Sequence, residues 1–495
     1  MNKQVANLVI SADPQPLAYD PMIFGGFLEH FDSQIYGGVY DPGSPLADER
    51  GFRLDVIEAL KGLKVPVIRW PGGCFVDAYH WQKGVGPNRE PYGDCRWGVI
   101  EPNRFGTHEF VELCRRMGAE PYICLNGVCD PQESIDWVLY CNATEGPMAE
   151  LRKANGYPEP LNVTFWSVGN ERSDRDYIDR VRDTAKGMKA FDPALKVMAS
   201  ASHGGHRAVI NDYLFEEAGE ALDLVSIHNY WLDRGRTLLR YSYLDAVMKA
   251  EMPDRYISDT IEALREAGQL ARLKISFDEW NLRAWQHPGF PRDSVEDYDD
   301  QEVRALVEQR VRENDFAGQY TMADALFSAS FLNACLRHCE HVTMANVAPL
   351  VNTRGPLFVH PDGIVKRTSF HAMAMYANLL QECVVEAEVQ AETLTHAGNS
   401  VATVDAIVTV DGAGGRCSIA LINRHPSATV DCTVTLPEHS LNGRFKATVL
   451  AGDSPDAFND IEHPERVAPQ EVEVSGIDGV VSLPPHSLTI VDVMG

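Results

Sequence analysis

Eight short apolar runs recur between about Pro21 and Tyr376, each separated from the next by a stretch with helical periodicity, and this alternation limits the fold more than any other feature of the chain. The runs are Met22–Leu28, Val65–Trp70, Pro121–Leu125, Val163–Val168, Lys196–Ser200, Leu224–His228, Lys274–Asp278 and His341–Val347. Such runs read as strands buried on both faces, and strands alternating with helices build a parallel sheet. No Gly-x-Gly-x-x-Gly follows any run, so the phosphate-binding turn of an open dinucleotide-binding sheet is missing. The fold class is therefore α/β, a closed (β/α)8 TIM barrel.

Several helices between the runs are legible. Asp130-Pro131-Gln132-Glu133 offers a capping acid, a proline at the first helical position and a capping Glu three residues after the cap. Tyr177, Ile178, Val181 and Met188 form one apolar stripe, and Ile257, Ile261 and Leu264 form another that ends at Gly268. After about Leu380 helical periodicity gives way to alternation: Cys417/Ile419/Leu421, Val430/Cys432/Val434 and Leu488/Ile490. The expected organisation is a barrel over 17–379 and an all-β, jelly-roll-like sandwich over 380–495, with strand-like residues 1–16 joining the sandwich. Residues 287–300, rich in acids, read as a long loop on the barrel's C-terminal face, either a lid or a solvated excursion.

Charge narrows the partners. With 44 Lys+Arg against 71 Asp+Glu the chain carries a formal charge of −27, which repels nucleic acid and anionic membranes and suits a neutral ligand. The 11 cysteines are odd in number and set largely in apolar runs, which favours reduced thiols and a cytoplasmic location. Ala6–Ile10 is too short for a signal peptide, and no later run approaches a membrane span.

In a barrel of this type the chemistry collects where strands end. The fourth run ends in Trp166-Ser167-Val168-Gly169-Asn170-Glu171 and the seventh in Phe277-Asp278-Glu279-Trp280-Asn281, with the two Glu 108 positions apart, room for three β/α units. Two carboxyl groups facing each other across a barrel mouth suit glycoside hydrolysis, one protonating the leaving oxygen and the other attacking or activating water.

These two motifs resemble the acid/base and nucleophile motifs of glycoside hydrolase family 51, the α-L-arabinofuranosidases. The resemblance extends to Phe24-Gly25-Gly26-Phe27-Leu28-Glu29-His30, Ile68-Arg69-Trp70-Pro71-Gly72-Gly73-Cys74, Glu101-Pro102-Asn103-Arg104-Phe105-Gly106 and Ser226-Ile227-His228-Asn229-Tyr230. It implies a retaining, exo-acting enzyme that removes terminal arabinofuranosyl groups from small oligosaccharides, with carboxyl groups about 5–5.5 Å apart. Glu171 would be the acid/base and Glu279 the nucleophile. Arg69 would hold a carboxylate charged through bidentate hydrogen bonds, or serve as an ion pair in the barrel floor. Asn170 would bind the sugar 2-hydroxyl, Glu29 and the Cys74 region other hydroxyls, and Trp97 an apolar sugar face. His228 and Tyr230 would orient the nucleophile and the acid. The family also implies a homo-oligomer, often a hexamer. One departure stands out: where relatives commonly place a Gln after the eighth strand, this chain has Asn352-Thr353-Arg354-Gly355, so Asn352 or Arg354 would replace that contact. The change leaves another furanoside, or a β-glucan, open as substrate; a non-catalytic sugar-binding protein is the reading from a different class. His203/His206 and His338/His341 lack the spacing and general base of a His-Glu-x-x-His zinc site, so no metal and no cofactor is expected.

Overall fold

The computed structural model describes residues 4–11, 15–94, 96–97, 99–201, 212–232, 241–284, 314–412, 415–435, 443–476 and 478–494. The segment 287–300 and the pair His203/His206 lie outside the described residues. Eight parallel strands close into a barrel: β1 (Gly25–Phe27), β2 (Val67–Trp70), β3 (Glu120–Leu125), β4 (Phe165–Val168), β5 (Lys196–Ser200), β6 (Leu224–Leu232), β7 (Lys274–Arg283) and β8 (Val342–Val347). Each pairs with its sequence neighbours, and β8 closes onto β1 through Asn346 opposite Gly25 and Val347 opposite Gly26. All eight runs fall on these strands. The first is shorter than its apolar pattern, because Asp20 caps a 3-10 turn over Pro21–Phe24, accepting from the Met22 amide at 3.0 Å.

Helix Pro131–Asn142 starts as its sequence indicates, with the Asp130 carboxylate accepting from the Gln132 amide. Glu133, expected to complete the cap, instead meets His80 Nδ1 at 2.7 Å. In helix Arg175–Phe191 the stripe Tyr177, Ile178, Val181 and Met188 is buried. The Tyr177 hydroxyl donates to Val168 O and accepts from Ser200 N, tying the ends of β4 and β5 together.

Two further sheets form a second core. The seven-stranded one runs Leu17–Ala18, Cys383–Val385, Val404–Val410, Arg416–Asn423, Ser487–Met494, Gly443–Ala451, Gln470–Gly476. The four-stranded one runs Ala387–Ala391, Gln4–Ile10, Val430–Thr435, Val480–Leu483. Strand Gln4–Ile10 buries Ala6, Leu8 and Ile10 and exposes Val5 and Val9, the period-two pattern of a half-buried strand. It lies inside its sheet, antiparallel to Ala387–Ala391 and parallel to Val430–Thr435. Leu17–Ala18, read with the barrel from sequence, pairs with Cys383–Val385.

Between barrel and sandwich runs helix Met322–Arg337, in which every residue from Met322 to Leu336 is buried. A helix with cover on all sides has no polar face to show, which explains its run of Ala, Leu and Phe. Arg337 pairs with Asp405 on the sandwich, and Arg424 reaches back from there to the Ser330 hydroxyl.

Candidate active site

The site begins with a break in period on β7. Ile275 and Phe277 are buried two residues apart, as are Trp280 and Leu282, but three residues separate the pairs. Phe277 and Trp280 both pack on Phe331 of the central helix, with ring centroids 5.1 and 3.8 Å away, so the outward face is kept across the break. The ladder to β6 accommodates it: Ser226 faces Ser276 and His228 faces Glu279, two steps against three. This is a bulge, and it turns two consecutive acids toward the barrel interior. Asp278 accepts hydrogen bonds from the Tyr122 and Ser226 hydroxyls. Glu279 accepts from Arg69 Nη1 at 2.9 Å on one oxygen and from the Tyr230 hydroxyl at 2.7 Å on the other.

Arg69, fully buried at the end of β2, is the hub. Its fork is divided rather than bidentate on one carboxylate, which corrects the sequence expectation: Nη1 serves Glu279, Nη2 donates to Asn170 Oδ1 at 2.7 Å, and Nε faces Cys124 Sγ at 3.1 Å and Asp278 Oδ2 at 3.3 Å. Splitting the fork fixes Asn170 and Glu279 relative to each other through one rigid plane. Although burial alone would raise the Asp278 carboxyl, Arg69, His228 and Ser226 hold it down at about 2.

His228 carries a charge by geometry. The Ser226 hydroxyl spends its proton on Asp278, so toward His228 Nε2, at 3.1 Å, it can only accept, and Nε2 must be protonated. Nδ1 lies 3.2 Å from Glu171 Oε1 and 3.3 Å from Glu279 Oε2, the latter an acceptor that Arg69 also addresses, so toward it Nδ1 too bears a proton. Burial would lower the imidazole pKa, but Glu279, Asp278 and Glu171 outweigh it and push it up to about 10.

Glu171 follows β4 through Gly169 at φ 70° and is itself in the left-handed region at φ 46°. A residue with a Cβ pays for that conformation, which persists only where its surroundings fix it. One oxygen of Glu171, one of Glu279 and a ring nitrogen of His228 lie within 4.8 Å of one another, and among the described residues they are the one group of three metal-type ligands. The doubly protonated His228 already supplies a cation there.

Glu29, at 0 % exposure, closes the far wall. Its Oε1 accepts from the Phe75 amide and from Trp97 Nε1, both at 2.9 Å, while Oε2 is buried without a hydrogen-bond partner. Burial and the nearby Glu279 push its pKa up to about 8, so it is protonated at neutral pH and offers a donor. The Pro-Gly-Gly turn makes room: a Cβ on Gly72 would come within 2.4 Å of Glu29 Cγ, and Gly72 has φ 154°. Cys74 faces Asn170 Nδ2 at 3.7 Å, and burial, with Glu171 and Glu29 adding to it, keeps its thiol protonated. The Trp97 ring is stacked on Phe31 at 4.4 Å, and its Nε1 holds Glu29, a contact the sequence reading does not foresee.

The loop after β8 corrects another sequence expectation. Asn352, Thr353 and Arg354 are consecutive left-handed residues, at φ 53°, 40° and 75°. The Asn352 amide is spent on Ser33 O and the Val359 amide, leaving nothing for a ligand. Arg354 is buried beside Arg283, with Nε lacking a hydrogen-bond partner, and burial with Arg283 pulls its pKa down to about 10. The floor residues Asp278, Ser226, Tyr122 and Cys124 escape the sequence reading. The three-residue gap between Phe277 and Trp280 is the signal that could have found Asp278.

A (β/α)8 barrel with two carboxylates brought together from the ends of its fourth and seventh strands, one bound to a buried guanidinium, defines a glycoside hydrolase. Two family models match, the α-L-arabinofuranosidase 1 domain over residues 59–247 and the α-L-arabinofuranosidase C-terminal domain over 278–487. The chain is 32% identical to α-L-arabinofuranosidase C of Emericella nidulans, over 99% of this chain and 97% of that one. An intracellular exo-α-(1→5)-L-arabinofuranosidase of Bifidobacterium longum is 31% identical over 95% of this chain and 88% of its own. The arabinose complex of the Thermotoga maritima α-L-arabinofuranosidase superposes with a TM-score of 0.84 at 29% identity, covering 99% of this chain and 100% of that one. The chain belongs to glycoside hydrolase family 51, the α-L-arabinofuranosidases.

Proposed function

We propose that the protein is a retaining, exo-acting α-L-arabinofuranosidase that removes terminal non-reducing arabinofuranosyl groups from short arabino-oligosaccharides by double displacement. The observation that carries this reading is the proximity of Glu171 and Glu279, with an oxygen of each within 4.8 Å of the other. That supports a direct attack, since an inverting pair stands about 6.5–9.5 Å apart to admit water. Glu279, oriented by Arg69 and Tyr230, attacks the anomeric carbon while Glu171 gives its proton to the departing glycosidic oxygen. Water, deprotonated by Glu171, then cleaves the glycosyl ester and restores both groups. As charge passes from Glu279 to Glu171, the Nδ1 proton of His228 faces whichever carboxylate is ionised. Asn170 would meet the 2-hydroxyl and protonated Glu29 another hydroxyl. The burial of Glu29, Asn170 and Glu279 suits a single terminal residue, and the exo-α-(1→5) activity named for the Bifidobacterium relative supports a similar substrate.

Cleavage in the presence of methanol should give the α-arabinofuranoside, and a trapped glycosyl-enzyme should carry its label on Glu279. The β-methyl product, or a label elsewhere, would overturn the mechanism. A panel of nitrophenyl glycosides checks the sugar. The reading includes a division into 1–18 with the sandwich, a catalytic barrel over 19–379 and a sandwich over 380–495, together with a cytoplasmic location and a homo-oligomer, a hexamer by family. The described cysteines, all free thiols, and the intracellular Bifidobacterium relative support the location. Sedimentation would show the oligomer.

A further inference from the structure

We propose that Asp77 is a positioning residue for the acid Glu171, acting through Arg172 by pinning the loops after β2 and β4 to each other. This rests on the reading of Glu171 as the acid. Asp77 lies in the 3-10 turn Cys74–Ala78, with a side chain 6 % exposed. Its Oδ2 accepts from Arg96 Nη2 at 3.0 Å and stands 3.7 Å from Arg172 Nη1. Arg172 is the residue after Glu171, and its other nitrogen donates to Asp174, the carboxylate that caps helix Arg175–Phe191. The acid therefore has a left-handed backbone on one side and a guanidinium held from two directions on the other. The Asp77 carbonyl also accepts from Asn126 beyond β3, so three strand-end loops converge on this residue. Arg96, the second cation on the carboxylate, precedes Trp97, which holds Glu29.

The energetics favour position over stability as the role. Asp77 Oδ1 and Arg172 Nε are both buried without hydrogen-bond partners, and an ion pair so incompletely satisfied gains little against the cost of desolvating it. What it supplies is a fixed origin for the Glu171 peptide, whose displacement moves the acidic proton away from the leaving oxygen.

The test is the dependence of kcat/KM on leaving-group acidity, measured on aryl α-L-arabinofuranosides from phenyl to 2,4-dinitrophenyl with correctly folded Asp77→Asn, Asp77→Glu, Arg172→Gln and Glu171→Ala enzymes. A displaced acid hurts only the substrates that need a proton. Asp77→Asn is expected to lose about tenfold or more on the phenyl glycoside and less than about twofold on the dinitrophenyl glycoside, steepening the slope. Asp77→Glu should recover part of the loss. A uniform fall across the series, or an unchanged slope, overturns the proposal. Arg172→Gln must reproduce the steeper slope, so the test stands even where Asp77→Asn does not fold, and a wild-type slope in Arg172→Gln also overturns it. Glu171→Ala separates the two readings: if its slope is not steep, the acid assignment fails, whereas a steep Glu171→Ala beside a flat Asp77→Asn removes Asp77 alone.

Discussion

The two sides of the barrel mouth are built on opposite plans. On the side of β2, β6 and β7, the polar groups around the two carboxylates are spent on one another, from Arg69 through Asp278 and Ser226 to His228. On the side of β8, three left-handed residues carry a guanidinium whose Nε has no partner. A closed network holds charges in one geometry, as a reaction centre requires. An unsatisfied buried group only costs stability. The contrast supports placing the proposed reaction on the first side.

The largest effect expected from breaking the first side is at the carboxylates. Glu279→Ala should lose at least about 10⁴-fold in kcat, and Glu171→Ala about 10²–10⁴-fold on oligosaccharides. Asp278→Asn leaves Arg69 and His228 short of a counter-charge and should cost about 3–5 kcal/mol by denaturant unfolding. The Asp278 carboxyl is held below its ordinary 3.8, so its stabilisation is complete above that pH and is lost as pH falls through about 2. The Asn variant should be less sensitive to acid over that interval.

Glu29 tests the boundary between the two plans. Its raised pKa means it is neutral up to about pH 8, so KM should climb by up to about tenfold per pH unit above that point as the donor is lost. Folding stability should also decline as pH rises from 4.5 through about 8, because the folded state keeps a proton that the unfolded chain releases. Glu29→Gln, which cannot ionise, should flatten both profiles. The smallest effect belongs to the β8 side. Arg354→Gln removes an incompletely paired buried cation and should raise stability by roughly 1–2 kcal/mol by denaturant unfolding.

Much of this was legible in the sequence, and the exceptions have causes. The eight strands were visible because a strand buried on both faces is a run of apolar residues. Met22 to Phe24 misled only because Asp20 and Pro21 start a turn inside such a run. Glu171 and Glu279 stood out as acids at strand ends. Asp278 did not, since consecutive strand residues point to opposite faces unless a bulge intervenes. Trp97 was visible as an aromatic near the site, but which way its ring packs is decided by Phe31, more than 60 residues earlier. The backbone at Asn352-Thr353-Arg354 was hidden because glycine, and less often Asn, advertises a positive φ, while Thr353 and Arg354 adopt one with neither.

Strand Gln4–Ile10 is flanked by Ala387–Ala391 and Val430–Thr435, so it is completed by segments that follow it more than 370 residues later in the chain. At about 5–20 residues per second, roughly 20 s or more of translation separates the strand from its neighbours. During that interval its two unpaired edges and the apolar row Ala6, Leu8, Ile10 stay open to any other nascent chain. Synthesis rate and chaperone supply, rather than the finished molecule's stability, would then limit the yield of this protein in a foreign host.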